Sequence, residues 1–232
     1  MTTVLMALSA ARHWTLSDGT RHPTGFWAEE FVVPYTAFVQ AGYDVTVATP
    51  GAVPPVVDEL SLGLSGGLPS TTRRLRAQLA ELEPVLQSPT DLHGVDPETP
   101  DLVFYPGGHG PMEDLAVDRV SGELLRRRLE SARPIALLCH APAAVLATQD
   151  EQGHSPFHGR RMTGLSNLEE RVNPFAWKAS WLLQDRLEQM GVRYQKGALP
   201  FRPHLVVDGT LYTGQNPQSS EQLAQRLISD LR

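Results

Sequence analysis

The sequence predicts an α/β protein built on a mostly parallel sheet, and two stretches carry that expectation. Leu102-Val103-Phe104-Tyr105 is apolar at every position and runs straight into Pro106-Gly107-Gly108-His109-Gly110-Pro111; Ile135-Ala136-Leu137-Leu138 does the same into Cys139-His140-Ala141-Pro142. Between them Val120, Leu124, Leu125 and Leu129 form one apolar helical stripe. Strand, glycine-rich loop, helix and strand make a β-α-β unit, which closes with its strands parallel. Strands buried on both faces are apolar throughout rather than alternating. Open parallel sheets bind ligands at their carboxyl edge, so the loops holding His109 and Cys139 are expected side by side there.

Cys139 is the only cysteine in 232 residues. A lone cysteine beside an apolar run is more often a small core residue than a nucleophile. Its position raises it above that base rate: a strand that turns sharply into a helix exposes a nucleophile above the sheet and aims unpaired N–H groups at it. The helix start and the neighbouring His140 are expected to lower the thiol pKa.

The remaining elements follow in order. Val4–Leu8 reads as a buried strand, and Gly25–Ala41 as a helix kinked at Pro34, with Glu29 and Glu30 in its first turns where the helix dipole favours carboxylates. Asp44–Thr49 is the next strand. Residues from about 50 to 100 change character, with Pro54-Pro55, Gly66-Gly67, a helical stretch over Thr72–Leu86, then Pro97 and Pro100. This segment is expected to be a lid or insertion in a single domain spanning 1–232. The run Arg126-Arg127-Arg128 reads as a solvated helix face. Ala176, Ala179, Leu183, Leu187 and Met190 predict one helix ending at Gly191. Asp208-Gly209 between apolar runs predicts a hairpin, and Ser219 or Ser220 caps a last helix carrying Leu223, Leu227 and Leu231.

Composition narrows the function. A net charge of −6 argues against a general nucleic-acid binder, which needs a basic footprint. No stretch approaches about 20 consecutive apolar residues, and the short apolar start lacks a charged leader, so neither a membrane span nor export is expected. One cysteine makes no internal disulfide, which suits a reducing cytoplasm. His154 and His158 have the spacing of helical metal ligands, but Pro156 lies between them, so no metal site is expected.

Taken together and in order, Thr24-Gly25-Phe26-Trp27-Ala28-Glu29-Glu30, Pro106-Gly107-Gly108-His109-Gly110, Leu138-Cys139-His140-Ala141-Pro142, Thr163-Gly164-Leu165-Ser166-Asn167 with Glu170, and Val207-Asp208-Gly209 followed by Gly214-Gln215-Asn216-Pro217 resemble the DJ-1/PfpI superfamily. Within it the chain is most similar to the Hsp31-like branch, which includes glutathione-independent glyoxalases. The resemblance implies a flavodoxin-like three-layer sandwich of the class I glutamine amidotransferase type, a homodimer, and a small carbonyl substrate handled without a cofactor. It implies Cys139 as nucleophile, His140 as the histidine beside it, and Glu30 rather than Glu29 as the acid at the sulfur. Glu170 would orient the histidine, with Glu169 an adjacent competitor. Gly108 and the His140 N–H are implied as an oxyanion hole, with His109 and Ala141 beside the substrate. Ala141 stands where the family commonly has Gly, and its methyl is expected to narrow the pocket. Phe201-Arg202-Pro203-His204 resembles a family segment near the pocket.

The activity so implied is a lyase of the D-lactate dehydratase type, turning methylglyoxal into lactate. A cysteine hydrolase acting on amides, esters or peptides uses the same nucleophile and oxyanion hole. A stress chaperone or redox sensor in which Cys139 only oxidises is the reading from another class.

Overall fold

The apolar runs become strands. The computed structural model describes residues 1–232. In chain order its strands are β1 (Thr3–Ala7), β2 (His13–Thr15), β3 (Arg21–Pro23), β4 (Asp44–Thr49), β5 (Thr90–Asp91), β6 (Leu102–Tyr105), β7 (Ile135–Leu138), β8 (Arg161–Met162), β9 (Arg193–Tyr194), β10 (Leu205–Asp208) and β11 (Leu211–Gly214). The helices are α1 (Ala28–Gln40), α2 (Pro69–Glu81), α3 (Glu83–Gln87), α4 (Gly110–Glu113), α5 (Arg119–Glu130), α6 (Asn167–Glu170), α7 (Leu183–Gln189) and α8 (Ser220–Asp230). Seven strands form one sheet in the order β10-β11-β7-β6-β1-β4-β5. Every pairing in it is parallel except the β10–β11 hairpin, whose two-residue turn places Gly209 at φ 63°.

Successive side chains on these strands feed two cores. Leu5, Val103, Tyr105, Ile135 and Leu137 pack with Leu124 and Leu125 of α5 and Leu183 and Leu187 of α7. Val4, Met6, Phe104, Ala136 and Leu138 pack with Phe31 and Phe38 of α1 and Leu223 and Leu227 of α8. Each Val, Leu, Ile, Met or Phe side chain among them contributes roughly 1.5–3 kcal/mol when fully buried, and the two cores make this a flavodoxin-like three-layer sandwich. From β1 the chain steps outward through β4 to β5, then returns to the other side of β1 at β6. That reversal opens the crevice where an open parallel sheet takes its ligand.

The segment between about 50 and 100 supplies β5 at the sheet edge, lays α2 against α1, and buries Leu62, Leu75 and Leu86 in the second core.

Three expectations need correction. Arg128 is not solvated: it is fully buried, and its guanidinium donates to the carbonyls of Pro97 at 2.7 Å, Pro100 at 2.8 Å and Pro134 at 2.8 Å. It lies three and four residues after Leu125 and Leu124, on the inward stripe of α5, while Arg126 points outward to Glu123 and Glu130. The helix expected over Ala176–Met190 is two pieces, a 3-10 turn over Pro174–Lys178 and α7. The chain between them bends at Ser180 and Trp181 and packs Trp181 against the first core. Ser219 precedes α8 without capping it, because its hydroxyl is engaged by Asn216 Oδ1 and the His204 carbonyl.

Candidate active site

The site is built on the end of β7. Cys139 follows the last strand residue with φ 59°, a left-handed conformation that a non-glycine residue holds only under surrounding constraint. That constraint is visible on both sides. The Cys139 N–H donates to the Gly214 carbonyl at 2.9 Å, and the Cys139 carbonyl accepts from the Leu165 N–H at 2.9 Å. A 3-10 segment over Ala141–Thr148, rather than the expected α-helix, follows the elbow. From β6 the loop at Gly107 approaches so closely that a Cβ there would lie 2.6 Å from the Leu138 carbonyl oxygen and 2.7 Å from Glu30 Oε2. Only glycine fits at that crossing.

On one side of the sulfur lies an imidazole pair. His140 Nδ1 is 3.5 Å from Cys139 Sγ, and its Nε2 is bonded to Glu170 Oε2. The other Glu170 oxygen accepts from His109 Nε2 at 2.9 Å. All three residues are buried. Burial opposes charge on Glu170, but the two histidines outweigh it and hold the carboxyl well below the usual range. An ionised Glu170 accepts an N–H from each Nε2, which leaves the Nδ1 of a neutral His140 as an acceptor facing the thiol. Burial also pushes His140 down, with Glu170 opposing. His109 is held in place by stacking on the buried Trp14, ring centroids 4.6 Å apart.

On the other side lies Glu30, carried in by the first turn of α1. It is completely buried, and Oε2 accepts the Gly107 N–H at 2.7 Å while Oε1 makes no hydrogen bond. Burial pushes its carboxyl up to about 8, against the opposing effects of the neighbouring Cys139 thiol and the Gly107 N–H. Near neutral pH it therefore holds its proton. Glu29, one residue earlier, is only half-buried and does not enter the site.

The thiol departs from expectation. Burial, and after it the Glu30 carboxyl, raises Cys139 well above the ordinary thiol value. Enclosure among buried acids outweighs the elbow, so the thiol waits for a base rather than resting as thiolate.

The adjacent glutamates divide their work. Glu169 closes a capping box with Ser166 and also accepts from the Phe201 N–H at 2.8 Å, Gln215 Nε2 at 2.7 Å and Asn216 Nδ2 at 2.8 Å. It fastens the 201–216 region to α6, leaving Glu170 free to serve the histidines. The Ser-x-x-Glu spacing at 166–169 is a capping-box signature visible in sequence. The partnership of His109 with Glu170, 61 residues away, has no local signal.

A cavity of about 170 Å³ opens over the sulfur, lined by Trp27, His109, Leu165, Val172 and Phe201 among others, with Ser65 contributed by the 50–100 segment. Ala141 does not line it. Its side chain turns inward as the first residue after the elbow and packs in the first core, so its methyl does not narrow the pocket. The N–H groups of Gly108 and His140 make no backbone hydrogen bond, which leaves both free to donate. His109, His140 and Glu170 also present ligand atoms within 4.8 Å of one another, a donor set of the kind that holds a metal, although here each Nε2 is committed to Glu170. His154 instead pairs with Asp150 at the surface.

The model of the DJ-1/PfpI family matches residues 23–230. The chain belongs to that family. A DJ-1/PfpI relative from Staphylococcus aureus strain Newman, the protein/nucleic acid deglycase HchA, is 26% identical over 98% of this chain and 79% of its own length. Among solved structures, the Rapid Encystment Protein 24 kDa of Francisella tularensis superposes with a TM-score of 0.85 at 22% identity, covering 100% of both chains. Glyoxalase III from Candida albicans gives 0.81 at 24% identity over 98% of this chain and 96% of its own. The likeness to the deglycase agrees with the Hsp31-like branch, and the two solved structures agree with the DJ-1/PfpI sandwich. No helix of this family member is long and apolar enough to cross a membrane.

Proposed function

We propose that the protein is a cysteine-dependent enzyme acting on small reactive carbonyl compounds, converting methylglyoxal to lactate without glutathione or another cofactor. One observation carries the reading: a single sulfur stands between an acceptor nitrogen backed by a buried carboxylate and a carboxyl that keeps its proton near neutral pH. Paired groups whose surroundings push their pKa values apart mark an acid and a base.

The chemistry balances on these residues alone. As Sγ adds to the aldehyde carbon, His140 Nδ1 takes the thiol proton and returns it to the new alkoxide, which the Gly108 and His140 N–H groups hold meanwhile. His140 Nδ1 then removes the hydrogen on that carbon while Glu30 gives its proton to the neighbouring carbonyl oxygen, leaving an enediol. His140 delivers its proton to the second carbon, and Glu30 takes back a proton from the first hydroxyl. The product is a thioester of lactate, and water attacks it with His140 as base, freeing lactate and the thiol.

The name of the deglycase relative supports an adduct of the same aldehyde with an amine as a second substrate, since loss of the amine delivers the same carbon to Cys139. A homodimer, the arrangement implied by the resemblance, belongs to the same proposal and is read by light scattering.

Purified protein with methylglyoxal and no thiol additive is expected to produce lactate, and Cys139→Ala to produce none. Wild-type-like turnover by that variant, or no lactate from the wild type, overturns the reading.

A further inference from the structure

The walls of the cavity carry information that the reacting groups do not. No lysine or arginine lines it, although the chain has 20 of these residues. Glu169 lines it instead, and the ionised Glu170 lies directly behind the His140 wall, so the charge at this site is negative. An anionic substituent entering here loses its water and meets no counter-charge.

Part of the rim is apolar and held out toward solvent, beside the polar Ser65, Asn173 and Gln218. Phe201 is 44% exposed and Val172 is 62% exposed, and both line the cavity together with the buried Leu165. Phe201 has φ 55°, a left-handed conformation that is an outlier for a bulky residue. Its N–H is fixed at 2.8 Å on Glu169 Oε1, the same carboxylate that ties down Gln215 and Asn216. A strained backbone fastened so as to present an aromatic ring beside the cavity mouth is a feature to be read from the ring outward. Methylglyoxal has only a methyl group to set against this surface.

We infer that the site selects uncharged 2-oxoaldehydes whose substituent is larger and more apolar than methyl, with Phe201, Val172 and Leu165 as the specificity-determining residues. The inference rests on the proposed reaction, since it concerns the substituent and not the reacting carbons. Burying an aromatic or branched alkyl group against these side chains removes apolar surface of both partners from water.

The test compares kcat/KM for methylglyoxal, phenylglyoxal and para-carboxyphenylglyoxal in the wild type and in Phe201→Ala and Val172→Ala. Phenylglyoxal is expected to exceed methylglyoxal by about tenfold or more, and the carboxylated compound to fall about tenfold or more below phenylglyoxal. Phe201→Ala is expected to lower the ratio of phenylglyoxal to methylglyoxal at least about fivefold, mainly through KM, and the ratio cancels the intrinsic reactivities of the two aldehydes. Equal ratios in wild type and both variants, or equal use of the carboxylated and neutral compounds, overturns the inference while leaving the reaction standing. Turnover of none of the three removes the reaction itself, and the inference with it.

Discussion

Two carboxyl groups are buried on opposite sides of the same sulfur, and they are in opposite states. Glu170 faces two imidazole N–H groups and is held ionised; Glu30 faces one backbone N–H and a thiol and is pushed up to about 8. Depth does not separate them, since both side chains are all but inaccessible. The supply of donors separates them. A buried carboxyl stays charged where enough N–H groups point at it and takes a proton where they do not. The thiol between them inherits a base on one side and an acid on the other.

The strongest way to break this contrast is at the charged side. Glu170→Gln keeps the size of the side chain but no longer holds both imidazoles in the Nε2–H form, and kcat is expected to fall about a thousandfold in a steady-state assay. Loss of less than about tenfold would mean that the carboxylate does not set the His140 tautomer. Glu30→Gln removes the movable proton but keeps a donor, and a loss of about a hundredfold is expected.

The same variant sharpens the contrast through stability. Glu30 titrates near 8 in the fold against an ordinary value of 4.5. Between these values the folded chain holds a proton that the unfolded chain has lost, so the free energy of unfolding declines as pH rises through that window. Denaturant titrations of the wild type from about pH 5 to about pH 9 should show the decline, of the order of a few kcal/mol, and Glu30→Gln should flatten it. Activity that needs the Glu30 proton should fall above about 8.

Arg128 extends the contrast to a cation, kept buried by carbonyl groups and no carboxylate. Arg128→Met strands those carbonyls and is expected to cost about 3 kcal/mol, lowering the melting temperature by roughly 10 °C with kcat unchanged at lower temperature. The smallest effect is expected at Ala141→Gly. Loss of a core methyl and of helical preference costs about 1 kcal/mol, and kcat/KM stays within about twofold because the side chain does not reach the cavity. A larger change in kcat/KM would return Ala141 to the substrate.

Much of this was legible in the sequence where a local rule applied. The apolar runs before Gly107 and Cys139, the helix bearing Glu30 and the Asp208-Gly209 hairpin each follow from neighbours within a few residues. Arg128 was legible too, since its spacing from Leu124 and Leu125 puts it on the inward face, but a run of three arginines masks that spacing. What no local pattern carries is the sharing of Glu170 by His109 and His140, or the fastening of Phe201 by Glu169. These depend on segments brought together by the sheet edge. The raised thiol pKa has no local signal for the same reason: the elbow is local, whereas burial and the acids near the thiol come from segments as distant as α1 and α6.

The two backbone bonds that clamp Cys139, to Gly214 and from Leu165, have a consequence in time. A growing chain exposes its cysteine while Leu165, Glu170, Phe201 and Gly214 are still to be made. Until they arrive the elbow lacks its clamp, the imidazole lacks its carboxylate and the cavity lacks its rim. This arrangement exists only in the finished molecule, so a nascent or truncated chain carries the thiol without the imidazole–carboxylate pair beside it.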